Sequence, residues 1–215
     1  MKYELAIFDL DGTVLDTLDD LTDSVNCALE RSAFPKRTKD EVRSFVGNGI
    51  KRLCEAAVPN GATAEDADRV FSDFNEHYAV HCHDKTRPYD GVCDMIRRLR
   101  EKGIRTAVVS NKADYAVQEL VSRYFPDGFD AVTGERDGVK KKPAPDLVEA
   151  VIDKIGISKE RTVYVGDSEV DVATAKNAGI DLIAVDWGFR SVFCLKEAGA
   201  GKIVSTVEEL FKNLA

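Results

Sequence analysis

The sequence predicts an α/β fold, a doubly wound parallel sheet carrying an inserted all-helical segment, and three observations predict it. From Tyr89 to the C-terminus, short apolar runs alternate with stripes of helical periodicity, the pattern of a parallel sheet covered on both faces. Three apolar runs, ending at Phe8, Val109 and Val165, pass straight into polar residues, and ligands of such sheets bind beyond the carboxyl ends of the strands. Residues 16–86 carry only helical periodicity, far more chain than one crossover helix needs.

Residues 3–8 form the first strand, left by a turn at Gly12-Thr13. From Thr17 to Arg31, the apolar residues Leu21, Val25 and Leu29 recur every fourth position, predicting an amphipathic helix with Asp19, Asp20 and Asp23 on an acidic outer face. Helices follow near 39–46, 50–57 and 64–80. The insertion is therefore read as residues 16–86, a helical domain, and the α/β core as 1–15 with 87–215, the hinges lying near 14–17 and 84–88. In the core, helical stripes end at Gly103, Gly156 and Gly179. Strands are expected at 105–109, 129–133, 162–165, 182–185 and 203–204, and a last helix at 207–214.

Composition narrows the function. A chain of 215 residues buries a sizeable core, and its net charge of −8 argues against general affinity for nucleic acid or anionic membrane. Asp9 and Asp11 interrupt the only early apolar run, so a secretory signal is not expected, and no run approaches a membrane span. The cysteines, Cys27, Cys54, Cys82, Cys93 and Cys194, are odd in number and contain no Cys-x-x-Cys pair, which fits reduced thiols in a cytoplasm. A monomer or weak homodimer is expected.

The chemistry concentrates in Asp9-Leu10-Asp11-Gly12-Thr13. Two carboxylates at i and i+2 share a face of extended backbone, and like charges crowded at a buried strand end demand a cation or a shared proton. Ser110 follows the second of the three strands, Gly166-Asp167-Ser168 the third, and Lys142 lies between them before Pro143. Alone, each has a bland reading as a turn, a strand-end hydroxyl, a basic surface run or a helix cap. In this order, with Asp171 completing Gly166-Asp167-Ser168-Glu169-Val170-Asp171, they resemble the four motifs of the haloacid dehalogenase-like phosphatases. The helical insertion resembles that family's small cap domain on a Rossmann-like core. Asp19-Asp20-Leu21, Val25-Asn26-Cys27-Ala28-Leu29, Val46-Gly47-Asn48-Gly49 and Trp187-Gly188-Phe189-Arg190 further resemble its phosphoglycolate phosphatases.

The resemblance implies a Mg²⁺-dependent hydrolysis of a small phosphorylated metabolite, 2-phosphoglycolate first, through an aspartyl phosphate. Asp9 is the expected nucleophile, since a carboxylate needs no base to attack phosphorus. Asp11 is the expected general acid and base. Ser110 is expected to bond a phosphoryl oxygen and Lys142 to neutralise charge shared by phosphate and nucleophile, with Thr13 and Asn111 lining the substrate. All-oxygen ligands suit Mg²⁺, and the expected set is the Asp9 carboxylate, the Asp11 carbonyl and the Asp167 carboxylate, oriented by Asp171. Gly47, Asn48 and Gly49 are expected to form a tight loop that meets the leaving group.

Alternatives within the family are a pyrophosphatase and a phosphomutase. From another class, an acidic pair, a hydroxyl and a lysine on a parallel sheet also describe a phosphoaccepting signalling domain, although such a receiver carries its phosphoacceptor on the third strand and has no large helical insertion. His77, His81 and His83 lack a His-Glu-x-x-His pattern and are expected to be surface or interdomain residues rather than metal ligands.

Overall fold

The structure, a computed structural model, describes residues 2–215. It begins with β1 (Leu5–Phe8), continues through β2 (Leu15–Asp16), and enters four helices, α1 (Leu18–Arg31), α2 (Lys39–Phe45), α3 (Ile50–Ala57) and α4 (Ala64–His81). After β3 (Arg87–Pro88) come α5 (Val92–Glu101), β4 (Arg105–Ala113), α6 (Asp114–Tyr124), β5 (Ala131–Glu135) and α7 (Asp146–Ile155). The chain closes with β6 (Thr162–Gly166), α8 (Glu169–Ala178), β7 (Asp181–Val185), α9 (Val192–Glu197), β8 (Ile203–Val204) and α10 (Val207–Leu214). Contacts divide it into two compact units, one of Pro88–Ala215 with Leu15 and the residues before it, the other Asp16–Arg87.

The larger unit holds a six-stranded sheet of order β5-β4-β1-β6-β7-β8, parallel throughout, as the alternation of strands and helices predicts. β1 is central because Leu5, Ala6, Ile7 and Phe8 are all buried, and an apolar run without alternation fits only a strand covered on both faces. From β1 the chain winds one way through β4 and β5, then crosses to β6 and winds the other way, so the order reverses between β1 and β6. A crevice opens at such a switch point beyond the strand ends, and Asp9 and Asp167 stand there. Leu147, Val148, Val151 and Ile152 of α7 and Ala175 and Ala178 of α8 pack with Leu5, Ile7, Val109 and Tyr164 on one face of the sheet.

Two strands depart from expectation. β4 does not end at Val109 but continues to Ala113, because pairing with β5 shifts between Val109↔Thr133 and Ala113↔Glu135, three residues on β4 lying opposite one on β5. Ser110, Asn111 and Lys112 occupy that irregular stretch. β5 starts at Ala131 rather than Phe129, whose ring packs edge-on against Phe8 and Phe125 at centroid distances of 6.2 and 5.4 Å. Phe129 is half-buried and makes these ring contacts from outside the ladder.

The smaller unit is built on the apolar stripe of α1. Leu21, Val25 and Leu29 are buried as their spacing predicts, and α4 contributes Val70, Phe74 and Tyr78, the last two stacked at 5.1 Å. Thr38 and Thr63 start α2 and α4 with capping boxes closed by Glu41 and Asp66. Asp20 corrects the predicted acidic outer face. It is buried, and its carboxylate accepts the Lys85 backbone N–H at 2.9 and 3.1 Å and the Thr86 N–H at 2.8 Å. Those donors belong to the returning chain, where no ladder yet supplies acceptors. All five cysteines are free thiols, and among the described residues no helix is long and apolar enough to cross a membrane.

Asp20→Ala takes the acceptor from two backbone N–H groups, so it should destabilise the helical unit by about 1–3 kcal/mol. An unchanged urea midpoint and slope would contradict this assignment.

Candidate active site

β1 delivers Asp9 to the sheet's carboxyl end, and the Leu10 N–H bonds back to Asp9 Oδ1 at 2.7 Å, fixing the carboxylate at its base. Asp9 Oδ1 also receives Lys142 Nζ at 2.9 Å. Lys142 comes from the segment crossing from β5 to β6, and its carbonyl accepts the Asn111 side-chain amide at 2.9 Å. Its ammonium bonds Asp171 Oδ1 at 2.8 Å and the Tyr164 hydroxyl at 2.9 Å as well. An ammonium has three protons, and three oxygens receive them.

The other member of the acidic pair has its own cation. Lys112 Nζ lies 2.8 and 3.1 Å from the two oxygens of Asp11, and the Lys112 side chain is only 1% exposed. The crowding of Asp9 and Asp11 is thus offset by two buried lysines, one on each carboxylate; Lys142 is expected from its place before Pro143, and Lys112 is not. Ser110 stands two residues past Val108, the ladder partner of Phe8, and its hydroxyl accepts the Lys112 N–H at 3.3 Å.

Asp167 follows β6 and is clasped from two sides. Thr13 Oγ1 donates to Oδ1 at 2.9 Å and the Phe189 N–H to Oδ2 at 2.7 Å. Two glycines permit that fit. A Cβ on Gly188 would come within 2.4 Å of Asp167 Cβ, and one on Gly12 within 2.4 Å of Asp167 Oδ2. Trp187 fastens the same stretch by donating its indole N–H to the Thr13 carbonyl at 3.1 Å. Ser168 caps α8, and Asp171 completes the capping box. Asp171 Oδ2 receives the N–H groups of Asp167 and Ser168 at 3.1 and 3.0 Å and the Ser168 hydroxyl at 2.6 Å. Asp171 is therefore an anchor between the Lys142 ammonium and the Asp167 turn.

Asp9, Thr13, Asn111, Lys142, Asp167 and Asp171 are tied together by these bonds, while Asp11 and Ser110 are joined to each other through Lys112. Gly47, Asn48 and Gly49 belong to the helical unit, where Gly47 and Gly49 adopt φ of 123° and 87° and Gly49 precedes α3. Positive φ at both fits the tight loop their sequence predicts. Lys112 and Tyr164 are not among the residues that the motifs single out. Lys112 carries one signal, a lysine two places beyond Ser110 where the chain is still buried. Tyr164 carries none, since an aromatic in Thr162-Val163-Tyr164-Val165 reads as core.

Among the described residues, the one group of three or more acidic, histidine or cysteine side chains that brings ligand atoms within 4.8 Å is Asp9, Asp167 and Asp171. His77 and His81 instead stack on each other at 4.3 Å, with His77 Nδ1 at 2.9 Å from Ser24 Oγ and His81 paired to Asp84 at 2.7 Å.

A profile of the haloacid dehalogenase-like hydrolases matches residues 6–185. The chain belongs to that family. It is 32% identical to the phosphoglycolate phosphatase of Mesorhizobium japonicum, over 100% of this chain and 96% of that one. It is 31% identical to that of Chromobacterium violaceum, over 98% and 96% of the two chains. A crystal structure from Lactobacillus delbrueckii subsp. bulgaricus, of a protein assigned as a phosphoglycolate phosphatase, superposes with a TM-score of 0.95 at 39% identity, covering 100% of this chain and 99% of that one.

In this haloacid dehalogenase-like hydrolase the acidic cluster is electrostatically uneasy. Burial pushes the Asp9 carboxyl up to about 7; Lys142 opposes the rise, while Asp171 and Asp11 add to it. Burial also raises Asp167 well above the carboxylate range, reinforced by Asp171 and Asp9. Burial works to lower Lys142, but Asp171 and Asp9 outweigh it and hold the ammonium charged. Two buried carboxylates that resist ionisation, offering only oxygen donors, fit a hard divalent cation.

The sign of the pH dependence follows. Carboxyls whose folded pKa is raised bind protons more tightly in the folded chain, so their stabilising contribution is complete below about pH 4 and is lost as pH rises through about 7 for Asp9. Chelator-treated protein should therefore lose this contribution between about pH 4 and 7. Mg²⁺ at a hundred times its Kd should stabilise the fold by about 2.7 kcal/mol at about pH 7.5 and by less at about pH 5, where protons compete for the carboxylates, and the melting temperature should rise accordingly. Thermal unfolding with chelator or Mg²⁺ measures both, and no Mg²⁺ effect at the higher pH would contradict the cation site.

Proposed function

We propose that this hydrolase is a Mg²⁺-dependent phosphatase that cleaves a small phosphomonoester, 2-phosphoglycolate first among them, through an aspartyl phosphate on Asp9. The observation that carries the reading is the buried Lys142 ammonium on Asp9 Oδ1, beside a separately charge-paired Asp11 at the end of the central strand. The names of relatives about 30% identical over nearly their whole length support the substrate.

The reaction follows from these groups. Both hydrogen bonds described at Asp9 fall on Oδ1, so Oδ2 is the oxygen that attacks phosphorus. Asp11, its ion pair with Lys112 exchanged for a solvent proton before the step, gives that proton to the departing alkoxide as the new P–O bond forms and the ester P–O bond breaks. Asp11 then takes a proton from water, whose oxygen attacks the aspartyl phosphate, releasing inorganic phosphate and regenerating Asp9. Lys142 holds Asp9 in line and offsets charge gathering on the transferring group. Ser110, with Asn111 beside it in β4, supplies donors for phosphoryl oxygens, while Thr13, whose hydroxyl proton goes to Asp167, acts by holding that carboxylate. Mg²⁺, held by the carboxylates of Asp9 and Asp167 and the Asp11 carbonyl, would neutralise phosphoryl charge. Asp171 orients these groups without entering the reaction.

We read the helical unit as a cap and Gly47-Asn48-Gly49 as the part of it that meets the leaving group, a reading supported by the tight positive-φ loop and by the resemblance of that stretch to phosphoglycolate phosphatases. The free cysteines support a cytoplasmic enzyme. A monomer or weak homodimer remains our expectation.

Phosphate release from a panel of esters with Mg²⁺ tests the reading. The expected result is a kcat/KM for 2-phosphoglycolate about tenfold or more above that for a generic aryl phosphate. Equal values would refute the substrate assignment. Preference for pyrophosphate, or transfer of the phosphoryl group between sugar positions, would replace it with the corresponding alternative. An acyl phosphate that persists without turnover would point to the signalling class.

A further inference from the structure

We propose that Tyr164 is a positioning residue for hydrolysis, its hydroxyl fixing the Lys142 ammonium against Asp9; this rests on the reading of Asp9 as nucleophile. Tyr164 sits in the middle of β6, level with Ile7 of β1, and is fully buried. Its side chain lies on the sheet face covered by α7 and α8, where Leu5, Ile7, Val109, Leu147 and Val148 surround it.

For packing alone, phenylalanine would serve there, since an aromatic ring fills the space and a buried hydroxyl carries a desolvation cost unless it is bonded. This hydroxyl is bonded twice. It donates to the Val109 carbonyl at 2.9 Å and accepts from Lys142 Nζ at 2.9 Å. A phenol has a single proton, so giving it to Val109 turns the oxygen lone pairs toward the ammonium. Burial pushes the phenol well above its ordinary value, keeping that proton in place.

The consequence lies at Lys142. With Asp9 Oδ1 at 2.9 Å and Asp171 Oδ1 at 2.8 Å taking two of its protons, the ammonium could still tip about the axis joining those acids. Tyr164 takes the third proton and removes that freedom. A nucleophile displaced by a fraction of an ångström loses alignment with phosphorus, so a group that never touches the ester affects the chemical step. Val109 immediately precedes Ser110, so the same hydroxyl could instead act through β4, and the test separates the two routes.

The experiment is a double-mutant cycle in the full chain with Mg²⁺, using the ester that the unmodified enzyme turns over best. Tyr164→Phe should lower kcat about tenfold with KM changed less than about twofold, because the hydroxyl contacts Lys142 and not substrate. In a Lys142→Met background the same change should alter kcat less than about twofold. Where Lys142→Met leaves too little turnover to measure, affinity for orthovanadate, which mimics the transferring phosphoryl group, provides the readout. It should weaken about tenfold on Tyr164→Phe in the native background and not further in Lys142→Met. An unchanged kcat in Tyr164→Phe, or an equal loss in both backgrounds, overturns the inference. Wild-type enzyme inactive on every ester overturns the function reading and takes this inference with it; active wild type with additive variants overturns this inference alone.

Discussion

The arrangement at the end of the central strand depends on one buried ammonium. Lys142 is the common partner of Asp9, Asp171 and Tyr164, three groups supplied by β1, α8 and β6. Without it, carboxylates that burial already drives toward neutrality would face one another with less relief. Breaking a buried pair from one side leaves an uncompensated charge, so the crossing segment from β5 to β6, the turn after β6 and the end of β1 stay in register through this contact. The same force that holds the fold closed thus keeps Asp9 oriented.

Topology makes the contact possible. β1 lies between β4 and β6, so Asp9 has Ser110 and Lys112 on one side and Asp167 on the other. Reversal of the strand order between β1 and β6 opens the crevice there and sends the long β5 to β6 crossing, with Lys142, over it. Asp167 is then wedged against Gly12 and Gly188, where any side chain would collide. Rigidity of this kind suits electrostatic preorganisation, in which donors and cations are in place before charge develops.

Much of this was legible in the sequence, for a physical reason. A parallel strand covered on both faces must be apolar to its end, so Asp9, Ser110 and Asp167 each announce themselves by a sudden change from apolar to charged or hydroxylated. The doubly wound sheet and the four helices of the smaller unit follow from the same periodicities. Contacts that join distant stretches were not legible. Asp20 looks like any acid in a first helical turn until Lys85 and Thr86 return beside it. Lys112 reads as the polar end of a strand, yet the irregular stretch of β4 turns it inward to Asp11. Tyr164 fits an apolar run by pattern, and the value of its hydroxyl depends on a lysine from another loop. The start of β5 lies two residues later than the apolar run suggests, just past a Phe129 ring that packs against Phe8 and Phe125.

With Asp9 as the nucleophile proposed above, held by Lys142, the protein should become covalently phosphorylated on Asp9 during turnover. The direct measurement is mass spectrometry of peptides from enzyme quenched in acid during steady-state hydrolysis with Mg²⁺. A gain of about 80 Da is expected on the peptide containing Asp9, localised to Asp9 and absent once substrate is exhausted. Phosphate released at full rate with no phosphorylated peptide, or with the label on another residue, would contradict it.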